Sequence, residues 1–222
     1  MAKPVYNPGQ MTEKPIEHYT RIFTSLEPAG ISSRTAVPYD AERGEFTLTL
    51  MGAEYAVSWP DATIEPKDSS DPLAFPINPY ERILMLRYLD EGKYIEPIDK
   101  YIAYNELPWG DVYGSNFQGR VISRFLREFG RDTDAFKRIM ETVPSLAAVP
   151  EPKCDVGYCF RFMNGLMMKV LMWEGDDEFP PAAQMLYDET IVFGYTAEDV
   201  AVAGDILIAR MKRFRELLPP VV

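Results

Sequence analysis

The chain contains very little histidine and cysteine. It has one histidine, His18, and two cysteines, Cys154 and Cys159, among 222 residues. A structural zinc site takes about four cysteine or histidine ligands, so a site of that kind within one chain is nearly excluded. In an extended segment the spacing of the two cysteines separates their Cα atoms by roughly 16 Å, whereas a disulfide needs about 7 Å or less. We therefore expect both thiols to be reduced.

Motifs for common enzyme chemistries are also missing. The sequence has no G-x-G-x-x-G, Walker, H-E-x-x-H or G-x-S-x-G pattern. Nucleophilic catalysis by a Ser-His or Cys-His pair would depend entirely on His18, and nothing near this residue in the sequence supports it. Catalytic residues, a resident metal and a cofactor are therefore unknown from the sequence.

Positive net charge and long apolar runs are absent as well. The net charge is -11 and the isoelectric point is about 4.7, so the overall field disfavours nucleic acid and anionic membrane surfaces. The longest apolar stretch, residues 166–173, is interrupted by Lys169 and is too short to span a bilayer. No apolar run follows the first residues, so we expect no secretory signal. These features predict an acidic, cytoplasmic protein, and they do not indicate its oligomeric state.

The elements that are present predict one α+β domain. Residues 1–13 are expected to form a loose tail, and residues 14–222 are long enough for a single core. The proline-rich residues 60–79 form either a covering loop or a subdomain boundary. Two hairpins, residues 45–59 and 157–173, are expected to build a central, largely antiparallel sheet with helices packed around it.

The second hairpin is the clearest element of the sequence. Asn164-Gly165 is the preferred pair for a tight two-residue turn. Counting back from this turn, Met163 is expected opposite Leu166 and Phe162 opposite Met167. Both strand faces are mostly apolar, so the hairpin is predicted to lie in the middle of the sheet, covered on both sides.

Apolar periodicity and capping signals predict the helices. Capping boxes are expected at Asn78 with Glu81 and at Thr196 with Asp199. Pro28 is expected to end the first helix. The predicted helices cover about residues 12–27, 79–91, 115–129, 133–143, 180–193 and 196–218.

The most concentrated charge lies between the second hairpin and the helix predicted from residue 180. Four carboxylates occur there within five residues: Glu174, Asp176, Asp177 and Glu178. They could stabilise the positive end of that helix, bind a hard cation such as Mg²⁺ or Ca²⁺, or receive a cationic ligand or act as a general acid and base. Gly175 permits a sharp turn, and Trp173 and Phe179 can anchor its ends, so we expect the carboxylates to converge on a site.

Residues 107–113 are a second candidate, because they combine aromatic residues, glycine and aspartate just before a predicted helix. Such residues often line the mouth of a pocket, and they also suit an aromatic lid over the core. The pocket candidates are Trp109, Asp111, Tyr113, Arg120 and Trp173.

Several of these segments resemble one family, the domain of unknown function DUF3786. The resemblance is carried by residues 83–89, residues 106–110 with Tyr113, Phe117 and Arg120, and residues 173–180, 185–188 and 196–199. The family usually has glycine where Trp109 stands here. The resemblance covers roughly residues 16–211 and implies a group found mainly in anaerobic bacteria and archaea. Some members carry an iron-sulfur module, for which this chain has no cysteine set.

These observations lead to three alternatives for function. The first is a cytoplasmic binding or accessory protein with a pocket near the acidic segment, for a cofactor or redox partner in anaerobic metabolism. The second is an enzyme that uses the acidic segment to hold a divalent metal or as an acid and base. The third is a protein-interaction scaffold. The expected partner is a small molecule or a protein, and not nucleic acid or a membrane.

Overall fold

The computed structural model describes residues 10–218. Within this range the chain forms a nine-stranded sheet with helices around it, which confirms the α+β class. The strands are β1 (Tyr39–Asp40), β2 (Glu45–Leu50), β3 (Ala53–Ser58), β4 (Ile64–Pro66), β5 (Tyr101–Ala103), β6 (Val149–Pro150), β7 (Val156–Met163), β8 (Leu166–Trp173) and β9 (Ala182–Asp188). The helices are α1 (Gln10–Ser25), α2 (Pro28–Thr35), α3 (Pro79–Glu91), α4 (Gly110–Phe117), α5 (Ser123–Phe129), α6 (Thr133–Thr142) and α7 (Ala197–Leu217).

Shorter helical turns complete the chain. A π-turn, Gln118–Ile122, joins α4 to α5, and 3₁₀ turns lie at Tyr104–Glu106, Pro144–Leu146 and Glu189–Phe193. The predicted loose tail lies outside the described residues up to position 9, and α1 already begins at Gln10. Among the described helices, none is long and apolar enough to cross a membrane.

The β7–β8 hairpin lies in the middle of the sheet, as predicted. The strand order is β4-β3-β2-β7-β8-β9-β5, with β1 also paired to β2 and β6 to β7. Phe160, Met168 and Val170 are buried on one face of the hairpin. The opposite face is only partly covered, because it carries Arg161, which is exposed, and Lys169, which forms an ion pair. The prediction that both faces are covered therefore holds for one face.

The register of this hairpin differs by one residue from the predicted register. Met163 pairs with Leu166 as expected, but a bulge between Arg161 and Met163 places Arg161, not Phe162, opposite Met167. Phe162 is the additional residue, and its carbonyl accepts a hydrogen bond of 2.7 Å from the backbone N–H of Met51. The bulge allows Phe162 and Met163 both to be buried while Arg161 stays exposed.

The two predicted capping boxes are confirmed. The side chain of Asn78 accepts from the backbone N–H of Glu81, whose carboxylate closes the box at the start of α3. Thr196 and Asp199 form the same arrangement at the start of α7. α7 is largely buried, and its Arg210 donates to the Glu81 carboxylate at 2.7 Å in the core.

The helix predicted for residues 180–193 is wrong. Residues 182–188 form β9, and a 3₁₀ turn follows. Alanine, glutamine and methionine favour a helix locally, but the edge of β8 carries backbone groups that need partners. β9 supplies them through six residue pairs, from Met168–Tyr187 to Trp173–Ala182. α1 ends at Ser25, shortly before Pro28 as predicted, and Pro28 also occupies the first turn of α2.

Both cysteines are free thiols. The sulfur of Cys159 lies 3.0 Å from the hydroxyl of Tyr101, and the sulfur of Cys154 lies 3.6 Å from the carbonyl oxygen of Glu151. Burial raises the pKa of both thiols. The thiols are therefore protonated and weakly nucleophilic near neutral pH.

Candidate functional site

Residues 174–181, the acidic loop, connect two antiparallel strands, β8 and β9, so no helix follows them. Asp176 organises this loop. Its Oδ1 accepts hydrogen bonds from the backbone N–H groups of Phe179 at 2.7 Å and Glu178 at 2.8 Å, and these bonds lower the pKa of Asp176. The backbone N–H of Asp176 donates to the carbonyl of Phe179. The loop is therefore a turn that one of its own carboxylates holds together.

Glu174 fixes the start of the acidic loop to neighbouring elements. Its carboxylate accepts from the hydroxyl of Thr133, in the first turn of α6, at 2.5 Å. Its backbone N–H donates to the Asp155 carboxylate at 2.8 Å. Asp177 and Glu178 are exposed. Two of the four carboxylates thus make local structural contacts, and the other two face solvent.

All four carboxylates border one depression, but they are not grouped as metal ligands. Over residues 10–218, no group of three or more histidine, cysteine, aspartate or glutamate side chains is placed to hold a metal ion. The acidic loop, with Gly130, Arg131 and Thr133, borders an open depression of about 630 Å³. The reading of these carboxylates as a helix start is also wrong, because β9 follows them.

The second candidate segment has an unusual backbone. Trp109 occupies the N-cap position of α4 with φ 67° and ψ 2°, in the left-handed region. The next residue fixes this conformation: a Cβ at Gly110 would lie 1.9 Å from the carbonyl oxygen of Tyr104, so only glycine fits. Tyr104 stacks on Phe117 at a centroid distance of 3.9 Å, and Leu107 is buried. Contacts on both sides of Trp109 therefore hold this residue in its strained, left-handed conformation.

Trp109 forms one wall of a groove that we call the aromatic groove. It is lined by residues Pro108, Trp109 and Tyr113 on one side and by Val192, Tyr195, Thr196, Ala197 and Glu198 on the other, and its volume is about 450 Å³. The first wall comes from the turn into α4. The second comes from the connection between β9 and α7.

Several large hydrophobic side chains are exposed in and beside the groove. Trp109 is 73% exposed and Tyr113 52% exposed, and neither covers the core as a lid would. Val112 beside them is also exposed, as are Val192 and Phe193 in the connection between β9 and α7. These two short segments supply half of the large hydrophobic side chains that are exposed within residues 10–218. Contiguous exposed apolar side chains commonly mark binding surfaces.

Most polar groups at the groove already have partners. Tyr195 stacks on Tyr88 and donates its hydroxyl to the carbonyl of Asn164. The hydroxyl of Thr196 donates to Asp199 at 2.7 Å. Glu198 remains on the rim, with its side chain 67% exposed and an ion pair of 3.2 Å to Arg120. The groove therefore presents apolar surface, the indole N–H of Trp109, the hydroxyl of Tyr113 and the carboxylate of Glu198.

The predicted pocket residues fall in different places. Trp109 and Tyr113 line the groove, and Asp111 is exposed in the first turn of α4 between them. Arg120 lies in the π-turn, where it binds Asp205 at 2.6 Å as well as Glu198. Trp173, at the end of β8, is half-buried and pairs with Ala182 of β9. The structure brings Trp109, Asp111 and Tyr113 to one surface and joins Arg120 to its rim through Glu198. Trp173 lies apart, beside the acidic loop.

The second wall of the groove is missed from the sequence. Val192 and Phe193 fall inside the helix predicted for residues 180–193, and Glu198 is interpreted only as part of a helix start. The signal that could have found them is the apolar pair Val192-Phe193 directly before Gly194. Two large apolar residues before a glycine that ends a helix can lie in an exposed turn as well as on the buried face of a helix.

Comparisons with known proteins place the chain in a group. Neither the curated proteins nor the solved structures contain a match to it. A family model described as a domain of unknown function, DUF3786, matches residues 27–210, which is most of the chain. The match includes both the aromatic groove and the acidic loop. The chain therefore belongs to the DUF3786 family, whose function is unknown.

Proposed function

We propose that this chain is a binding or accessory protein and that the aromatic groove holds its ligand. The observation that carries the proposal is Trp109, which is 73% exposed and has a positive φ. A left-handed conformation at a residue other than glycine costs about 1 to 3 kcal/mol and is most common at functional sites. An exposed indole contributes little to the core, so contact with a ligand is the best explanation for a large aromatic ring at this position.

The chemistry of the groove indicates the kind of group that it accepts. Its walls are the rings of Trp109 and Tyr113 and the side chain of Val192. Aromatic walls favour flat rings and apolar side chains, which bury area and stack on the indole. The ring of a cofactor and an apolar side chain of a redox or other protein partner both meet this requirement. The two free thiols support the cytoplasmic location that the proposal includes.

Small neutral probes test the proposal. We expect indole, p-cresol and adenosine to bind with millimolar affinity and to shift the NMR signal of the Trp109 indole N–H. The chain has three tryptophans, so the signals of Trp59 and Trp173 serve as internal references. Trp109→Gly should abolish probe binding, because it removes the largest wall of the groove.

Phe179→Ala is the matched control. Phe179 is 68% exposed and lies on the acidic loop, so it removes a comparable exposed ring from another surface. Binding should be unchanged in this variant. Equal binding of the probes to wild type and Trp109→Gly, or loss of binding in Phe179→Ala alone, would contradict the proposal.

A further inference from the structure

The aromatic groove has a pronounced charge asymmetry. The two segments that contribute its walls, residues 105–116 and 188–199, contain no lysine or arginine. They carry four carboxylates that are not buried: Glu106, Asp111, Glu189 and Glu198. Glu198 lines the groove itself, and the other three carboxylates lie on the segments that contribute its walls.

The cations nearest to these segments neutralise this charge only in part. Arg120 is shared between Glu198 and Asp205, and Lys100 pairs with Glu189 at 2.7 Å. Lys93 contacts residues 188–199 through its backbone N–H, which donates to the carbonyl of Phe193. Among the described residues, Glu106 and Asp111 form no ion pair and accept only backbone N–H groups.

The polar groups of the groove also restrict what can bind. Binding sites for small molecules usually contain a few convergent polar groups that fix the orientation of the ligand. Here the hydroxyls of Tyr195 and Thr196 are already used within the fold, which leaves the Trp109 indole N–H, the Tyr113 hydroxyl and the carboxylate of Glu198, the one charged group among the described residues of the lining. Because this charged group is a carboxylate, a bound group that donates hydrogen bonds and carries positive charge is favoured.

We infer that the occupant of the aromatic groove is a segment of a partner protein in which an apolar residue is flanked by lysine or arginine. This inference rests on the function proposed above and identifies its ligand. The apolar residue packs between Trp109 and Val192, and the flanking cation pairs with Glu198 or lies over the indole face. The surrounding carboxylates attract the basic segment and disfavour acidic competitors.

A displayed library of random peptides tests the inference. Peptides are selected on the wild-type protein and counter-selected on Trp109→Gly, and the affinities of the enriched peptides are then measured by calorimetry. We expect enriched peptides to contain an apolar residue next to lysine or arginine. Their affinity should fall about 10-fold or more in Trp109→Gly and several-fold between about 20 mM and about 300 mM salt.

A charge-matched pair of double variants shows where the carboxylates act. Asp111→Asn with Glu198→Gln should weaken the selected peptides by roughly three-fold to ten-fold. Asp177→Asn with Glu178→Gln removes the same charge from the acidic loop and should leave the affinity within about two-fold. Equal losses in the two double variants would show that only the overall charge matters and would overturn the inference.

Failure of the inference can be told apart from failure of the proposed function. If neutral probes shift the Trp109 signal but the enriched peptides lack basic residues, or no peptide depends on Trp109, the groove binds another class of ligand and the inference is wrong. If neither probes nor peptides depend on Trp109, the proposed function is wrong as well.

Discussion

The acidic loop and the aromatic groove differ in how their polar and apolar groups are used. In the acidic loop, Asp176 closes the turn and Glu174 binds Thr133, so the local structure accounts for the most concentrated charge in the sequence. In the aromatic groove, the fold gives no local use to the indole of Trp109, which is exposed on a strained backbone. The loop has the more unusual composition, and the groove has an exposed aromatic ring for which the fold gives no structural use.

This difference shows which features of a sequence indicate function. A charged or rare segment often has a structural cause, because turns need acceptors for their backbone N–H groups. The local structure enforces the backbone conformation of Trp109, but it gives no such cause for the exposed aromatic ring. The groove is therefore the better candidate site, although its sequence has no recognisable motif.

Two glycines give the largest test of the comparison, because one lies in each region. A Cβ at Gly110 would lie 1.9 Å from the carbonyl oxygen of Tyr104, whereas at Gly175 the nearest atoms belong to Pro181, at 2.7 Å and 2.8 Å. Gly110→Ala should lower the free energy of unfolding by about 3 kcal/mol, because Tyr104 is buried against Phe117 and cannot move easily. Gly175→Ala should lower it by about 1 kcal/mol, since the exposed acidic loop can shift. Chemical denaturation measures both values, and a larger loss for Gly175→Ala would reverse the ranking.

The sheet and its main helices are predictable because local signals agree with tertiary demands. The Asn164-Gly165 turn and the Asn78 and Thr196 capping boxes specify their elements through short-range geometry. β9 is the exception, because its residues favour a helix and only the unpaired edge of β8 makes it a strand. The bulge at Phe162 is equally non-local, since its carbonyl is used by Met51 far away in the sequence.

Half of the candidate site can be predicted, and the reason for the other half is physical. Trp109 and Tyr113 lie four residues apart in a segment that already suggests a pocket mouth. Their opposite wall depends on where β9 ends, so the wrong helix at residues 180–193 hides Val192. The positive φ of Trp109 depends on the close approach of Gly110 to Tyr104, a contact that no sequence pattern reveals.

Two buried aspartates extend the comparison, because one carboxylate lacks hydrogen-bond partners and the other has several. Burial raises the pKa of Asp90 to about 7, with Glu91 adding to the effect and Arg34 and Arg87 opposing it. Within residues 10–218, neither carboxylate oxygen of Asp90 has a hydrogen-bond partner. Burial also acts on Asp188, but donors from Thr190, Ile98 and Asp99 outweigh it and lower the pKa.

These shifts predict opposite effects of substitution. Between the ordinary pKa of 3.8 and about 7, the unfolded chain has lost the Asp90 proton while the folded chain keeps it, so stability falls as pH rises through this window. We expect the free energy of unfolding to be about 1 kcal/mol lower at pH 8 than at pH 6 from this group. Asp90→Asn should remove that dependence and be more stable than wild type at pH 8.

Asp188→Asn is the matched control for Asp90→Asn. Asp188 is buried and accepts hydrogen bonds from four donors, so its amide variant should lose about 2 kcal/mol at both pH values. Denaturant unfolding at pH 6 and pH 8 measures all three proteins. A pH dependence that persists in Asp90→Asn would show that another group causes it.

Trp109→Gly tests whether the groove residue is kept for binding rather than for stability. Glycine adopts a positive φ without strain, which stabilises the folded state, but it also makes the unfolded chain more flexible, which opposes this gain. The free energy of unfolding should therefore be unchanged or higher by up to about 1 kcal/mol. Ala36→Gly is the backbone control, because Ala36 is exposed with φ 55° and lies outside the groove. It should behave in the same way. A loss of more than about 1 kcal/mol in Trp109→Gly alone would mean that the indole stabilises the fold.

The smallest effects are expected in the acidic loop, where the sequence alone suggests the most chemistry. Asparagine at position 176 keeps the acceptor oxygen that binds the N–H groups of Phe179 and Glu178, so Asp176→Asn should melt close to wild type, and Asp176→Ala should melt lower. Asp177 is exposed, and Asp177→Asn should have no effect. Mg²⁺ or Ca²⁺ in excess should not raise the melting temperature of any of these proteins, because no three of these carboxylates converge. A rise for wild type that Asp177→Asn abolishes would identify a cation site in the loop, and the loop would then replace the groove as the leading candidate.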